Sequence, residues 1–390
     1  MSSMADLAGL HERMSRMWIS RREVLQSAGA VVCVGGSAPL LSGCTGLTRI
    51  DVQQEDVAVT GLKRDELRIL ELASLAPSGH NTQPWGIRLV DPYTWIITSD
   101  EQRWLPAVDP DQRETLLSIG AFIENLVVAA GCYGYEIDLK LLAKTSKDTD
   151  IVEVTLNKIN SHSADNGLAE RITRRRVVRK GYLAREIGEG DLRHIINDDS
   201  ACVHYFPPHS RQGRSLSEGT IEANRQQAYR NEAQEELAEW IRWSDGEAKR
   251  FRDGLTPAGM EIAGLAGWYV RHFYRRKNVL SKAFRDATVK SVMELVGRHG
   301  GWLVITSEES SVASLLKTGR RFQRMFLRSR DKMIAIHPMT QMLEETQLKH
   351  EVVNDLGLTV PVQFILRVGY LEAYPDPVTL RRPVSWFVRS

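Results

Sequence analysis

The sequence has little of several features that would place it in a familiar class of protein. Its 51 Lys and Arg residues nearly balance 49 Asp and Glu residues, so the net charge of +2 gives no general case for nucleic-acid binding. Only four cysteines occur in 390 residues, which excludes a disulfide-rich scaffold. The ten His residues are scattered without a zinc-ligand spacing, and we expect no metal site. No Gly-x-Gly-x-x-Gly segment follows a predicted strand, which argues against a dinucleotide-binding fold.

The N-terminus carries targeting features. Ser20–Leu25 reads Ser-Arg-Arg-Glu-Val-Leu, a twin-arginine pattern, and a weakly apolar run follows at Ser27–Pro39. That run is too short and too interrupted by Gly and Pro to span a bilayer as a helix. Leu41–Cys44 resembles a bacterial lipobox, with Cys44 as the acylated residue. The alternative is a basic leader with an incidental cysteine. We predict a periplasmic or cell-envelope lipoprotein that is exported by the twin-arginine route.

The boundaries follow from composition. We predict a signal peptide at 1–43, a tether at 44–60, an N-terminal half at 61–165 and a C-terminal half at 166–390. Cys132 and Cys202 remain in the mature chain; they could form a disulfide, but we expect two thiols.

The periodicity of the mature chain favours an α+β fold. Apolar residues at helical spacing between Ile119 and Ala130 predict a buried core helix, and alternating segments before and after it predict pairs of strands. Helices therefore alternate with strand pairs, which favours a central, mostly antiparallel sheet flanked by helices.

The loop Ala76–Trp85 (Ala-Pro-Ser-Gly-His-Asn-Thr-Gln-Pro-Trp) is the most specific motif. Pro77 ends a predicted helix, because proline disfavours the helical conformation at the preceding residue. A turn that satisfies its own backbone is the simpler interpretation. The loop resembles, however, the Ala-Pro-Ser…Asn-x-Gln-Pro-Trp signature of the nitroreductase superfamily of FMN-dependent oxidoreductases. The resemblance implies that five loop residues bind cofactor: Pro77, Ser78, Gly79, Asn81 and Gln83.

Two arginine clusters extend the resemblance. Arg175-Arg176-x-x-Arg179, which we place at a helix start, is similar to the superfamily's N-terminal basic motif, and Arg381-Arg382-Pro383 is similar to its C-terminal one. An exposed basic face is the simpler interpretation of either cluster. The resemblance implies that Arg175 and Arg382 hold the FMN phosphate, and that Arg179 reaches the N1/O2 edge of the flavin. Arg176 and Arg381 complete the predicted set.

The order of the motifs is unusual. In an ordinary nitroreductase subunit the arginine motif precedes the loop, whereas here it follows the loop by nearly a hundred residues. The chain therefore resembles the large fused, Acg-like subgroup, in which two nitroreductase halves form an intrachain pseudo-dimer. That implies one FMN per chain, in a monomer. The second half has no good copy of the loop; Phe206–Ser210 is at best a relic.

Two functions remain open, ahead of a remoter third, a thioether- or azoline-type oxidase within the same superfamily. One is an exported FMN-dependent oxidoreductase that passes hydride or electrons through flavin N5 to a nitroaromatic or quinone, with a membrane quinol or a protein as electron donor. The other is an FMN-binding protein with an occluded pocket and little or no turnover. We predict no acid–base catalytic residue. His337 and Gln341 are candidate substrate contacts, for which a structural turn at Pro338 is the simpler interpretation. Gly259–Lys277 is ranked first as a lid over the flavin, then as ordinary core, then as a membrane-resting patch.

Overall fold

The computed structural model describes residues 61–159 and 166–389. The predicted signal peptide, Cys44 and the tether lie outside the described residues. The described chain is α+β, as predicted, but it contains two sheets rather than a single central one, with five and four strands.

Four of the five strands of the first sheet come from the N-terminal half. Its elements in chain order are α1 (Arg64–Ala73), β1 (Trp85–Asp91), β2 (Thr94–Ser99), α2 (Arg113–Cys132), β3 (Tyr135–Leu141) and β4 (Asp150–Lys158). The strands lie in the order β3-β4-β2-β1, and all three neighbouring pairs are antiparallel.

The rest of the chain forms the second sheet and most of the helices. Its elements are α3 (Asn166–Arg174), α4 (Glu189–Ile196), β5 (Val203–Phe206), α5 (Arg211–Tyr229), α6 (Asn231–Trp240), α7 (Asp245–Phe251), α8 (Gly264–Phe273), α9 (Arg276–Val279), α10 (Lys282–Val296), β6 (Gly301–Thr306), α11 (Val312–Ser329), β7 (Ile334–Pro338), α12 (Thr346–Asp355), β8 (Val362–Tyr370) and β9 (Val388–Arg389).

The two halves repeat one order of elements. The sequence β1-β2-α2-β3-β4 corresponds to β5-β6-α11-β7-β8, with α5 to α10 inserted between β5 and β6. The second sheet has the order β5-β6-β8-β7 and is antiparallel throughout, so its connectivity matches that of the first sheet. The C-terminal strand β9 breaks the correspondence, because it pairs in parallel with β1 and completes the first sheet.

The long helices α2 and α11 join the halves through a reciprocal glycine contact. A Cβ added to Gly120 would lie 2.3 Å from the carbonyl oxygen of Leu316, and one added to Gly319 would lie 2.1 Å from that of Leu117. The Cα atom of each glycine lies 3.0 Å from the Cβ that would be added to the other. By length and composition α2 could cross a membrane, but 78% of its apolar window is buried in the protein. It is therefore the core helix that the sequence predicts.

Two sequence-based expectations need correction. Arg175, Arg176 and Arg179 do not begin a helix: α3 ends at Arg174, and no regular element is assigned from there to α4. The physical reason is that their side chains extend to three separate places, which one helical face could not reach. In addition, Phe206–Ser210 follows β5, whereas the loop at Ala76–Trp85 precedes the corresponding strand β1. The repeat therefore gives no support to Phe206–Ser210 as a relic of the loop.

Candidate functional site

The loop after α1 has an unusual backbone. Three non-glycine residues, His80, Asn81 and Gln83, have φ values of 45°, 55° and 55°. This left-handed region costs free energy for residues with a Cβ, so surrounding contacts must hold the loop in place. Ser78 supplies one such contact, since its hydroxyl accepts the backbone N–H of Gln83 at 2.9 Å. Clusters of such conformations are typical of binding sites.

The two loop amides predicted to bind cofactor hold distant backbone in place. Asn81 donates to the carbonyl of Gly254 at 3.1 Å, and Gln83 donates to that of Arg252 at 3.0 Å. The Oε1 of Gln83 accepts the backbone N–H of Arg382 at 2.9 Å. Both amides are buried. They therefore fix the loop against the segment after α7 and against the C-terminal tail.

Arg381 is buried under the same loop. Its Nε donates to the carbonyl of Ser74 at 2.9 Å, and its Nη2 donates to that of Ala76 at 2.9 Å. Its Nη1 donates to the side-chain oxygen of Asn81 at 2.8 Å. The residue closes the carbonyl end of α1, where backbone acceptors lack helical partners. Its donors are directed at the protein itself.

Arg382 retains an unpaired N–H donor among the described residues. Its Nη2 donates to the carbonyls of Gln83 and Trp85, at 2.6 and 2.8 Å, while its buried Nε has no partner among the described residues. Burial, and then the neighbouring charge of Arg103, lower the pKa of Arg382 to about 9; the acidic groups Asp100 and Asp253 oppose this only in part. An added anion would therefore be stabilised beside it.

The three arginine side chains of the motif at 175–179 extend in different directions. Arg175 is buried and donates to the carbonyl of Leu75 at 2.9 Å. Arg176 donates to the carbonyl of Asp376 at 2.6 Å, and its Nε has no partner within the described ranges. Arg179 points toward His337.

His337 has a defined protonation state. Its Nε2 lies 2.8 Å from Nη1 of Arg179. Because guanidinium carries no lone pair to offer, Nε2 must be the acceptor, and we assign the ring proton to Nδ1. Burial and the charges of Arg179 and Arg367 lower the pKa of His337 well below its ordinary value, so the ring is neutral. Its Nδ1–H is buried and has no acceptor in the described part of the chain.

Two further buried polar atoms also lack a hydrogen-bond partner. His80 Nδ1, from the loop, and Gln341 Oε1, shortly after His337, have no hydrogen-bond partner among residues 61–159 and 166–389. Arg179 interacts electrostatically with both His80 and His337, which places the loop and β7 around one point. Leaving a buried polar group unsatisfied costs about 1–3 kcal/mol. The rings of His80 and His337, which share the neighbour Arg179, therefore mark a place where a ligand would be bound.

An acidic group adjoins this place, and sequence reasoning missed most of it. Glu114 accepts from Arg113 and from the hydroxyl of Thr340, both at 3.0 Å, and the same hydroxyl lies 3.4 Å from Glu344. Asp109 accepts the backbone N–H groups at the start of α2; burial and the charge of Glu114 raise its pKa to about 7. Glu114 and Glu344 are 230 residues apart, and no spacing in the sequence signals their approach.

The segment between α7 and α8 covers the site. The carbonyl of Gly259 accepts from Nε of Arg179 at 3.3 Å, and Glu261 accepts the backbone N–H groups of Arg179 and Lys180 at 3.1 and 2.9 Å. The beginning of the predicted lid is thus in contact with a predicted flavin ligand. The rest of it, α8, has exposed apolar side chains, with Leu265 75% exposed.

No protein-family model matches the chain. It is 33% identical over 124 residues to "Putative NAD(P)H nitroreductase Rv3131" of Mycobacterium tuberculosis, a match that covers 32% of this chain and 36% of the relative. The matched region thus spans about a third of that relative's length.

Two longer matches have lower identity. "Probable NAD(P)H nitroreductase PigM" of a Serratia species is 23% identical over 316 residues, covering 77% of this chain and 86% of PigM. "Putative NAD(P)H nitroreductase acg" of M. tuberculosis is 23% identical over 322 residues, covering 81% and 92%. The chain is therefore similar, over most of its length, to proteins with nitroreductase names. These names support the nitroreductase resemblance of the motifs.

One solved structure is also similar in part. It is the crystal structure of a nitroreductase-like family protein from Bacillus cereus, with 12% identity and a TM-score of 0.31, covering 58% of this chain and 96% of the other. A TM-score this low does not establish a common fold.

Proposed function

We propose that the protein is an FMN-dependent oxidoreductase of the nitroreductase superfamily that reduces a small organic acceptor, of nitroaromatic or quinone type. The carrying observation is that Arg179 interacts with the buried rings of His80 and His337, each of which keeps an unpartnered nitrogen among the described residues. Gln341, with an unpartnered buried Oε1, follows His337 closely in the chain. FMN, when bound, accepts and donates hydride at N5. The protein's own task is to hold the ring, exclude water and stabilise the charge of the reduced state.

The donor set fits a flavin ring edge. Arg179 and the Nδ1–H of His337 offer donors, while Oε1 of Gln341 offers an acceptor. The pyrimidine edge of a flavin presents carbonyl oxygens and one N–H, which need this combination. We therefore assign His337 and Gln341 to the cofactor edge or to the acceptor lying against it.

The phosphate fits Arg382 best among the five arginines. Its buried Nε has no partner among the described residues, and its lowered pKa favours an anion nearby. Arg381 directs its donors at α1 and the loop, and Arg176 is already paired with Glu261 at 3.4 Å. We assign the phosphate to Arg382 and a positioning role to Arg381, and we propose that the motif at 175–179 supplies a second arginine.

The repeated connectivity supports the proposal of two fused nitroreductase halves. Each half has the order β-β-α-β-β, and the contact between Gly120 and Gly319 is reciprocal, as a two-fold interface requires. The candidate site takes His80 from the first half and Arg179, His337 and Gln341 from the second. One such pocket per chain is the arrangement that we propose.

A specific observation favours a second function, FMN sequestration with little turnover. The segment from Arg252 to Glu261 contacts both the loop, through Asn81 and Gln83, and Arg179. A lid that is hydrogen-bonded to both the loop and Arg179 would restrict access to the flavin. The predicted export to the cell envelope would also separate the protein from NAD(P)H, and we propose a membrane quinol or a protein as donor.

The two functions are separated by spectroscopy on the mature, purified chain. We expect a bound yellow flavin that is photoreduced without oxygen and then reoxidised by quinones or nitroaromatics. Arg179→Gln should lower flavin occupancy at least tenfold, whereas Arg193→Gln, at an exposed pair with Glu189, should not. Reduced flavin that no acceptor reoxidises would favour sequestration, and a colourless protein that does not take up FMN would refute both.

A further inference from the structure

A series of hydrogen-bonding groups runs from half-buried Gln227 to Glu114, which lies against the loop at Gly79. Gln227, which is half-buried on α5, donates to Oε2 of Glu344 at 2.6 Å. The other oxygen of Glu344 lies 3.4 Å from the hydroxyl of Thr340, and that hydroxyl lies 3.0 Å from Oε1 of Glu114. The second oxygen of Glu114 lies against Gly79, at 3.1 Å from where a Cβ would be.

The three groups Glu344, Thr340 and Glu114 need one more proton than the hydroxyl of Thr340 can supply. Thr340 has a single O–H and faces two carboxyl groups, so it can donate to only one of them. The guanidinium of Arg113 bonds directly to Glu114, which makes Glu114 the ionised member. Glu344 then carries the proton and donates it to the oxygen of Thr340, which in turn donates to Glu114.

The charges around Glu344 agree with this assignment. Loss of hydration, and then the charge of Glu114, raise its pKa well above the ordinary value, while Gln227 and Arg113 oppose the shift. Arg113 supplies one positive charge to a group of three carboxyls, Asp109, Glu114 and Glu344, so it cannot balance all three as carboxylates. A carboxyl held neutral near a candidate site is a proton store.

We propose that Glu344, Thr340 and Glu114 form a proton relay that delivers protons from the surface at Gln227 to the loop at Gly79–His80. In each transfer the O–H bond of Glu344 breaks as one forms at the oxygen of Thr340, while the original Thr340 O–H bond breaks as one forms at Glu114. Glu114 then gives its proton to an oxygen of the nitro or quinone acceptor at the loop: the Glu114 O–H bond breaks as an O–H bond forms on the acceptor, and Glu114 returns to a carboxylate. Glu344 is left as a carboxylate that receives the N–H of Gln227, and is reprotonated from solvent. No electrons move in these steps.

The relay would serve the proposed function, on which its use rests. Reduction of a nitro group or a quinone consumes protons along with hydride or electrons, and the neutral ring of His337 is poorly suited to give up its last ring proton. The arrangement is nevertheless a property of the chain itself and can be tested without flavin.

The first test is infrared spectroscopy of the flavin-free protein. The C=O band of a protonated carboxyl should be present at pH 7 in the wild type and should lose intensity in Glu344→Gln. The matched control is Glu345→Gln, which removes the next carboxylate, paired with Arg230 at 2.7 Å; the band should persist there. A band unchanged in Glu344→Gln would overturn the assignment of the proton to Glu344.

The second test uses a pair of substitutions at the hydroxyl. With flavin bound and photoreduced, Thr340→Val should slow reoxidation by a quinone at least tenfold and change its solvent isotope effect, whereas Thr340→Ser should restore both. Equal rates in Thr340→Val and the wild type would overturn the relay. A wild-type protein without flavin would count against the proposed function alone, because the infrared result would still decide whether Glu344 holds a proton.

Discussion

At the scale of single residues, the conspicuous side chains of the loop and of the C-terminal arginine cluster hold the backbone around the candidate site in place. Asn81 and Gln83 were predicted as cofactor ligands, yet they bond to backbone that lies between 169 and 299 residues away in sequence. Arg381 is likewise directed at α1 and the loop. The sequence could indicate the residue types but not these partners, because no local pattern encodes a contact across that separation.

Arg381 should therefore be needed for folding. Arg381→Ala would leave the carbonyls of Ser74 and Ala76 and the amide oxygen of Asn81 without their buried donor. We expect the free energy of unfolding to fall by about 3–5 kcal/mol, measured by urea denaturation. Arg211→Ala, at an exposed position, should change it by less than about 0.5 kcal/mol. A loss below 1 kcal/mol in Arg381→Ala would contradict the positioning role.

His337 should make stability depend on pH. Its pKa is lowered in the fold, so the unfolded chain binds the proton more readily, and stability is lost as pH falls below the unfolded value near 6.5. Between pH 7.5 and 5.5 the contribution amounts to about 1.4 kcal/mol. His337→Asn, which cannot titrate, should remove that part of the slope.

The carboxyls oppose this trend, and the comparison must allow for them. The raised pKa values of Asp109 and Glu344 make stability fall as pH rises over the same interval. They are present in both proteins, so the difference between wild type and His337→Asn isolates the histidine. Parallel curves for the two proteins would show that His337 is not held neutral.

At the scale of elements, periodic segments were predictable from the sequence, whereas short elements and boundaries that depend on distant partners were not. The buried helix α2 and the strand pairs follow directly from apolar spacing. The two-residue strand β9 exists only because β1 lies beside it, and α3 ends at Arg174 because the next arginines reach Leu75, Asp376 and His337 separately. Where a distant partner determines whether an element forms or where it ends, the local sequence has no pattern that predicts it.

The contact between α2 and α11 should be intolerant of any added atom. Gly120→Ala would put a Cβ 2.3 Å from the Leu316 carbonyl and force the helices apart, at a cost of about 2–4 kcal/mol in unfolding free energy. Gly131→Ala in the same helix meets nothing within 4 Å and should stabilise by about 0.5–1 kcal/mol, since alanine favours helix. Both are measurable by thermal denaturation, and equal effects at the two glycines would refute the close crossing.

At the scale of the whole molecule, the fold repeats but its sites do not. The halves share connectivity, and a core of buried side chains spans both sheets. Yet the loop with its three left-handed residues precedes β1 only; before β5 the chain forms a short turn at Asn197–Cys202. Within the described residues β5 also has no counterpart of β9 along its edge.

This asymmetry predicts one flavin per chain, in a monomer. A second pocket would require a copy of the loop before β5, and the turn there lacks its Pro, Gly and Gln residues. The contact between Gly120 and Gly319 already buries the facing surfaces of α2 and α11 within one chain. Native mass spectrometry, with flavin absorbance per chain, should give a ratio near one at the monomer mass. A ratio of two would mean that the second half holds a pocket built from other residues, and an obligate dimer would mean that the fused halves do not complete the site.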